Sequence, residues 1–235
     1  MKKIRWMALV LALVMLMGLL AACGQTDGGD PAGESSANDN STLSGMVTLA
    51  QYLANGPCVG FYSIGEPDKN ESPRQMWLFE DGKVYRVFGP RDEEGTVAFL
   101  TWGEISKMTD EELLDYAREY KALDWGGWTR YPTGEYAICV TTDNTGNNLK
   151  YERILVKECE EWNDPDQEWT QHEYCDIVDK GQSFDTTHTA TIYDSVFSGI
   201  AHISSEGRYY SLFFRTGSDL RITLDNPGDE GVEVD

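Results

Sequence analysis

The chain has few basic residues and only three histidines. Lys and Arg number 19 against 40 Asp and Glu, which gives a formal net charge of −21 at pH 7. Such a surface repels polyanions, so the charge balance excludes nucleic-acid binding and favours cationic ligands or basic partners. His172, His188 and His202 are isolated in the sequence. We interpret each of them as a surface or half-buried residue rather than a catalytic base.

Catalytic signatures are also absent from the sequence. It contains no G-x-S-x-G nucleophile motif, no H-E-x-x-H zinc motif, no G-x-x-x-x-G-K phosphate loop and no G-x-G-x-x-G fingerprint. A glycosidase needs only two carboxylates at a suitable separation, but 40 acidic residues make that criterion unselective. We therefore assign no catalytic residue and predict a binding module, with an enzyme as the alternative.

No apolar run reaches the length of a transmembrane helix. The longest one, Ala8 to Leu20, is shorter than the roughly 20 residues that cross a bilayer. It follows the basic residues Lys2, Lys3 and Arg5, which is the arrangement of a secretion signal. We therefore predict a cleaved signal peptide over residues 1–22.

The end of this leader, Leu20-Ala21-Ala22-Cys23-Gly24, resembles the lipobox of bacterial lipoproteins. In that family the cysteine sulfur receives a diacylglyceryl group, and a signal peptidase cuts before the cysteine. The resemblance implies that Cys23 is the lipidated first residue of an extracytoplasmic, membrane-anchored protein. Two acyl chains, at about 0.8 kcal/mol per buried CH₂, are sufficient for a stable anchor.

Composition separates a linker from a folded part. Residues 23–45 hold the lipidated cysteine and a stretch rich in Gly, Ser and acids, with Leu43 as its one large apolar side chain. Such a stretch cannot bury enough apolar surface to fold, so it is predicted to be a flexible acidic tether. Residues 46–235 are long enough to form a globular extracytoplasmic domain.

Turn residues between aromatic and β-branched runs predict antiparallel hairpins in this domain. Asp81-Gly82 separates two such runs, and comparable turns lie at 143–148 and 206–207. A further strand is predicted over Thr96–Trp102. The predicted fold class is α+β, mainly β, with antiparallel hairpins arranged as a meander.

Helices are predicted at two places. Thr109 and Glu112 have the spacing of a capping box, and apolar residues then recur at intervals of three and four. This pattern predicts a helix over about 109–123. A shorter helix near 47–54 is predicted from its composition and from Gly56-Pro57 after it.

Four cysteines follow Cys23, and an even number in an exported chain favours disulfides. Cys159 and Cys175 flank a segment rich in turn formers, and we favour that pair. Closing this loop would contribute about 3 kcal/mol. Cys58 and Cys139 are the remaining disulfide candidates. Free buried thiols and a zinc site are the alternatives, although no C-x-x-C spacing supports zinc.

The segment from Glu158 to Asp176 contains eight carboxylates and no Lys or Arg. Asp164, Asp166 and Glu168 alternate within it, and they are candidate ligands for Ca²⁺, which prefers oxygen donors. The segment does not match an EF-hand, because the positions that need Gly and Glu hold other residues. The alternative is a solvated acidic hairpin tip. No other cofactor is predicted.

Four tryptophans are candidate ligand contacts. Trp125 and Trp128 flank two glycines, and Trp162 and Trp169 lie in the acidic segment. Their flat faces could stack on sugar rings, but packing in the core is the alternative for each. The predicted partners are an envelope protein, a glycan or a cationic ligand.

Two phrases of the folded part resemble small extracytoplasmic lipoproteins of Gram-positive anaerobes that have no assigned function. They are Phe79-Glu-Asp-Gly-Lys83 and the stretch from Gly103 to Leu113. Because the phrases consist of a hairpin and a helix cap, the resemblance carries no active site. We predict a membrane-anchored, non-catalytic binding or interaction module of the cell envelope. The alternative is a cell-wall-active or carbohydrate-active hydrolase.

Overall fold

A computed structural model of the chain describes residues 43–90, 93, 97–122, 133–163, 168–178 and 181–235. These residues form a large, mainly antiparallel sheet with three helices, which confirms the predicted class. The strands are β1 (Gly45–Thr48), β2 (Cys58–Ile64), β3 (Gln75–Glu80), β4 (Lys83–Val87), β5 (Lys121–Ala122), β6 (Gly134–Thr142), β7 (Leu149–Asn163), β8 (Glu168–Asp176), β9 (Thr186–Ile192), β10 (Ser195–Ile203), β11 (Tyr209–Thr216), β12 (Leu220–Thr223) and β13 (Val232–Val234). The helices are α1 (Leu49–Ala54), α2 (Trp102–Ile105) and α3 (Asp110–Glu119).

The large sheet is built from three meanders of three strands each. Its order is β8-β7-β6-β4-β3-β2-β11-β10-β9, so each meander keeps its sequence order and the meanders join at β4–β6 and β2–β11. The short strands β5 and β13 pair with β4 and β6. Strands β1 and β12 form a separate parallel pair. The predicted meander is therefore confirmed, and it occurs three times.

The predicted hairpin at Asp81-Gly82 has the expected turn chemistry. Asp81 has a φ of 53° and Gly82 a φ of 72°, and Glu80 pairs with Lys83 across them. Two positive φ angles match the twist of a two-residue hairpin, and Asp-Gly is a favoured pair for them. The turn chemistry therefore fixes the register of β3 against β4.

Helix α3 begins as predicted and ends earlier. Thr109 caps the Glu112 N–H at 3.1 Å, and the Glu112 carboxylate accepts from the Thr109 N–H at 2.7 Å. The helix ends at Glu119 rather than near residue 123, because β5 follows immediately and pairs with β4. Helix α1 confirms the second prediction, with Thr48 as its N-cap.

The strand predicted over Thr96–Trp102 is wrong in its described part. Thr101 caps a helix instead, with the Glu104 N–H donating to the Thr101 hydroxyl at 3.2 Å and Trp102 as the first helical residue. Thr101 and Glu104 also form a capping box, a local signal that outweighs the β propensity of the preceding residues.

The central strands are buried on both faces. On one face, Tyr62, Trp77, Phe79 and Phe214 pack beneath α1 and β12. On the other, Phe61, Leu78, Phe197 and Phe213 pack beneath α2 and α3. The sheet is therefore the middle layer of three.

Candidate functional site

The predicted disulfide between Cys159 and Cys175 is present, with the two Cα atoms 6.1 Å apart. It joins β7 to β8 near the start of the acidic hairpin. The two cysteines are not directly opposite, since Cys159 pairs with His172 and Cys175 with Val156. A φ of 51° at Glu158 reverses the alternation of side chains, so that Cys159 joins Val156 in the same buried cluster.

Cys58 and Cys139 do not form the second disulfide for which they were candidates. Both are free and buried. They lie on β2 and β6, which are separated in the sheet by β3 and β4, a span of roughly 14 Å at the usual strand spacing. A disulfide requires Cα atoms within about 7 Å. Burial raises the pKa of Cys139 to about 11 and that of Cys58 further, so neither thiol is activated.

Several predicted site residues lie outside the described part of the chain. These are Cys23, Trp125, Trp128, Asp164 and Asp166. For Trp162, Trp169 and Glu168 only the backbone belongs to it, where Trp162 pairs with Trp169 and Glu168 with Asn163. Their proposed contacts with sugars or Ca²⁺ therefore stay predictions.

His188 lies in a line of polar groups at one end of the sheet. Its Nδ1 is 2.8 Å from the Ser211 hydroxyl, and its Nε2 is 3.3 Å from a Glu66 carboxylate oxygen. The ring stacks on Tyr209, with centroids 4.1 Å apart. His188 on β9 is paired with Gly199 on β10, where a side chain would lie 1.9 Å from the Leu212 carbonyl oxygen of β11.

This line of hydroxyl, imidazole and carboxylate resembles the order of a hydrolytic triad, but its nucleophile is enclosed. Ser211 has no solvent-exposed surface, so a substrate carbonyl has no approach to its hydroxyl. Burial lowers the pKa of His188, and Glu66 only partly opposes that effect. A neutral imidazole that accepts from Ser211 and donates to Glu66 satisfies all three groups. The geometry supports a structural role for His188.

A second cluster, which we call the Tyr193 cluster, consists of Lys69, Lys107 and Tyr193. The ammonium groups of Lys69 and Lys107 lie 5.8 and 5.5 Å from the centroid of the Tyr193 ring. Tyr193 remains 56% exposed and occupies the two-residue turn between β9 and β10. Two cations therefore converge on one solvent-facing aromatic ring.

The Tyr193 backbone is strained. Its φ is 51°, in the left-handed region that bulky residues seldom adopt and that turns normally fill with Gly or Asn. Residues held in this region cost of order 1–3 kcal/mol and concentrate at functional sites. The strain marks this turn as a candidate functional position.

Hydrogen bonds hold two segments of the Tyr193 cluster together. The Ser195 hydroxyl donates to the Ser106 carbonyl at 2.8 Å, which ties the turn to the residue before Lys107. The Gly103 N–H donates to the Lys69 carbonyl at 2.9 Å. A side chain at Gly103 would lie 2.6 Å from that carbonyl, so the close approach requires glycine.

Arg215 holds the segment that contains Lys107. Its guanidinium donates to the Ile105 carbonyl at 3.1 Å and to the Met108 carbonyl, and these two residues bracket Lys107 at a distance of one or two positions. It also pairs with Asp110 at the start of α3. Lys107 therefore projects from a linker that the sheet holds in place.

The two lysines lack ion-pair partners in the part of the chain that the structure describes. Neither forms an ion pair with any residue of the described part, whereas Arg118, Arg153, Lys157 and Arg215 all do. Lys107 contributes to lowering the pKa of Glu104, but that carboxylate is already committed to the Thr101 cap. Two lysines beside one exposed ring are notable in a chain with a net charge of −21.

Sequence reasoning missed the Tyr193 cluster because its members lie on three segments far apart in the chain. The one local signal was the pair Tyr193-Asp194 between two β-rich runs, a two-residue turn without glycine or asparagine. The positions of Lys69 and Lys107 depend on the packing of α2, whereas the β-forming residues from Thr96 to Trp102 predict a strand there.

No family model matches the chain, and neither a curated protein nor a solved structure is significantly similar to it. Within the described ranges, no helix has the length and apolar character needed to span a bilayer. The same residues contain no group of three or more His, Cys, Asp or Glu side chains arranged for a metal ion.

Proposed function

We propose that the protein is an extracytoplasmic lipoprotein, anchored through Cys23, whose folded domain binds a ligand of the cell envelope without transforming it. The leader and the sequence around Cys23 support the location and the anchor. The observation that carries the binding function is the Tyr193 cluster. There an exposed aromatic ring on a strained backbone lies beside two lysines that form no ion pair with a described residue. Binding sites need such pre-positioned groups with unused bonding capacity.

The hydrolase alternative receives less support from the geometry. The triad-like arrangement around His188 has Ser211 enclosed in the sheet. A binding site that holds its ligand without cleaving it needs no activated nucleophile.

Affinity selection with mass spectrometry tests this proposal. Immobilised full-length protein is incubated with soluble compounds released from the envelope of the cells that produce it. The molecular masses of the retained compounds are then measured. We expect a compound retained by the wild type, recovered with unchanged mass, and lost with the variant Lys69→Ala/Lys107→Ala/Tyr193→Ala.

The matched control is Lys150→Ala/Tyr151→Ala, which removes another lysine–tyrosine contact at 5.8 Å on a different strand. The control should retain the compound like the wild type. Equal retention by the triple variant, or recovery of cleaved products, would contradict the proposal.

A further inference from the structure

We infer that the Tyr193 cluster binds a compact anionic group, a phosphate or a carboxylate, carried by a small sugar or polyol. This inference rests on the proposed function, since it names the chemical class of the ligand for the same site. It follows from the charge, the exposed ring and the rigidity of the cluster.

The charge of the cluster selects an anion. Lys69 and Lys107 both direct their ammonium groups toward the Tyr193 ring and have no carboxylate partner among the described residues. An anion beside the ring is attracted by both cations, and a cationic ligand is repelled by both. The site therefore favours an anionic ligand, whereas the overall charge of the protein favours a cationic one.

The overall charge limits the size of the anion. At physiological ionic strength, charges beyond about 8 Å are largely screened. A small anion at the cluster therefore interacts mainly with the local charges, which include the two lysines and also Glu104 and Asp194. A long polyanion would extend over the rest of a surface that carries 40 Asp and Glu in the chain. The site therefore fits a single phosphate or carboxylate group and disfavours nucleic acid and other extended polyanions.

The tyrosine ring indicates what carries the anion. Tyr193 exposes more than half of its surface beside the two ammonium groups. A tyrosine combines an apolar face with a polar hydroxyl, and that combination suits the C–H and O–H groups of a sugar or polyol. Glycine at this turn would avoid the backbone strain but would supply no ring.

The cluster is also rigid enough to bind without large ordering costs. Ser195, Gly103 and Arg215 fix its three segments through the hydrogen bonds to Ser106, Lys69 and the Ile105 carbonyl. Only the lysine side chains need to move when an anion enters. Pre-positioned groups convert more of their interaction energy into affinity.

The test is a titration of full-length protein in a nonionic detergent. The probes are inorganic phosphate, glycerol 1-phosphate and glucuronate, with glycerol and glucose as neutral counterparts. Binding is followed through the NMR signals of isotopically dimethylated lysines, which keep their charge. We expect dissociation constants of about 1–10 mM for the anions, and none measurable for the neutral probes.

Variants separate the site from general charge effects. Lys69→Ala/Lys107→Ala should weaken binding of the anions at least about tenfold, while Lys150→Ala should leave it unchanged. Tyr193→Asn should weaken glycerol 1-phosphate and glucuronate more than inorganic phosphate. Its melting temperature should not fall, because asparagine tolerates the positive φ. That result separates loss of the ring from loss of the fold.

Glycerophosphoglycerol, a lipid headgroup without its acyl chains, identifies the source of the anion. Preference for this diester over glycerol 1-phosphate would point to a lipid headgroup, and the reverse preference to a free phosphorylated compound. Equal binding of neutral and anionic probes, or unchanged binding by the double lysine variant, would overturn the inference. If the protein retains envelope compounds that are neutral, and this retention still requires the Tyr193 cluster, the inferred ligand class is wrong and the proposed binding function stands.

Discussion

Glu152 is a buried acid whose ionisation the fold opposes. It lies on β7 with no exposed surface, and one of its carboxylate oxygens accepts from the Asp225 N–H at 2.8 Å. The other oxygen has no hydrogen-bond partner among the described residues. Burial, with a smaller contribution from Asp225, raises the pKa of Glu152 from 4.5 to about 8. The folded protein therefore holds this side chain protonated at neutral pH.

The raised pKa makes stability depend on pH in a definite direction. Between about pH 4.5 and pH 8, the folded state keeps the proton on Glu152 that the unfolded state has lost. The free energy of unfolding therefore falls with rising pH through this window, by up to about 1.4 kcal/mol per pH unit, and levels off above it.

Glu152→Gln should remove this dependence, because the amide is neutral at every pH and can still accept from the Asp225 N–H. We expect the variant to unfold at higher urea concentration than the wild type at pH 8 and at nearly the same concentration at pH 5. Urea titrations at the two pH values measure this. Glu206→Gln, at an exposed hairpin turn, is the control and should change neither value. If the difference in urea midpoint between Glu152→Gln and the wild type were the same at both pH values, Glu152 would not titrate as described.

Ser211 gives a second prediction at the residue scale. Ser211→Ala removes the hydroxyl that lies 2.8 Å from His188 Nδ1 and leaves that partly buried nitrogen without this partner. We expect a loss of about 1–2 kcal/mol in the free energy of unfolding, measured with urea, and no change in ligand retention. Ser205→Ala, at an exposed position, should be neutral. Cleavage of an envelope compound by the wild type that disappears in Ser211→Ala would instead restore the hydrolase alternative.

At the scale of elements, the disulfide connects two strands whose pairing is strengthened by the covalent link. Cys159 and Cys175 are separated by 16 positions, so the bond closes a short loop in the unfolded chain. Chain entropy assigns such a loop about 3 kcal/mol. Eight carboxylates in the same segment repel one another, which makes the link more important at low salt.

Cys159→Ala/Cys175→Ala should therefore lower the free energy of unfolding by about 3 kcal/mol. Urea unfolding of the wild type with and without reductant provides the comparison, and the reduced wild type should match the double variant. The loss should decrease as salt is added. Identical unfolding of the oxidised wild type and the double variant would contradict this prediction.

The hairpins were predictable because their signals are local. Asp81-Gly82 needs only two residues to define its turn, and Thr109 with Glu112 needs four to begin α3. The disulfide was predictable because its cysteines flank one hairpin. Helix α2 was missed because its cap follows a run of β-forming residues, and burial of Trp102 against the sheet favours the helix. The packing of α2 then brings Lys69 and Lys107 close to Tyr193. No local sequence pattern predicts that these three residues lie together.

At the scale of the molecule, the charge distribution separates the general surface from the candidate site. The chain is strongly acidic, and several of its positive side chains in the described part form ion pairs that tie strands and helices together. Lys69 and Lys107 form none there, and both lie beside one exposed ring. A net negative charge keeps such a protein soluble and repels extended polyanions, while the local site can still accept a small one.

The proposed anchor makes a prediction about the thiols of the whole protein. Cys159 and Cys175 are paired, and Cys58 and Cys139 are free. If the sulfur of Cys23 carries a lipid, the denatured, unreduced protein should show two titratable thiols, and an unmodified Cys23 would give three. Cys23→Ala should also abolish labelling with a palmitate analogue and leave a precursor that keeps its leader, while the thiol count stays at two. Three thiols in protein recovered from membranes, or labelling that persists in Cys23→Ala, would exclude the anchor. No other side chain between Leu20 and Gly24 can form the thioether.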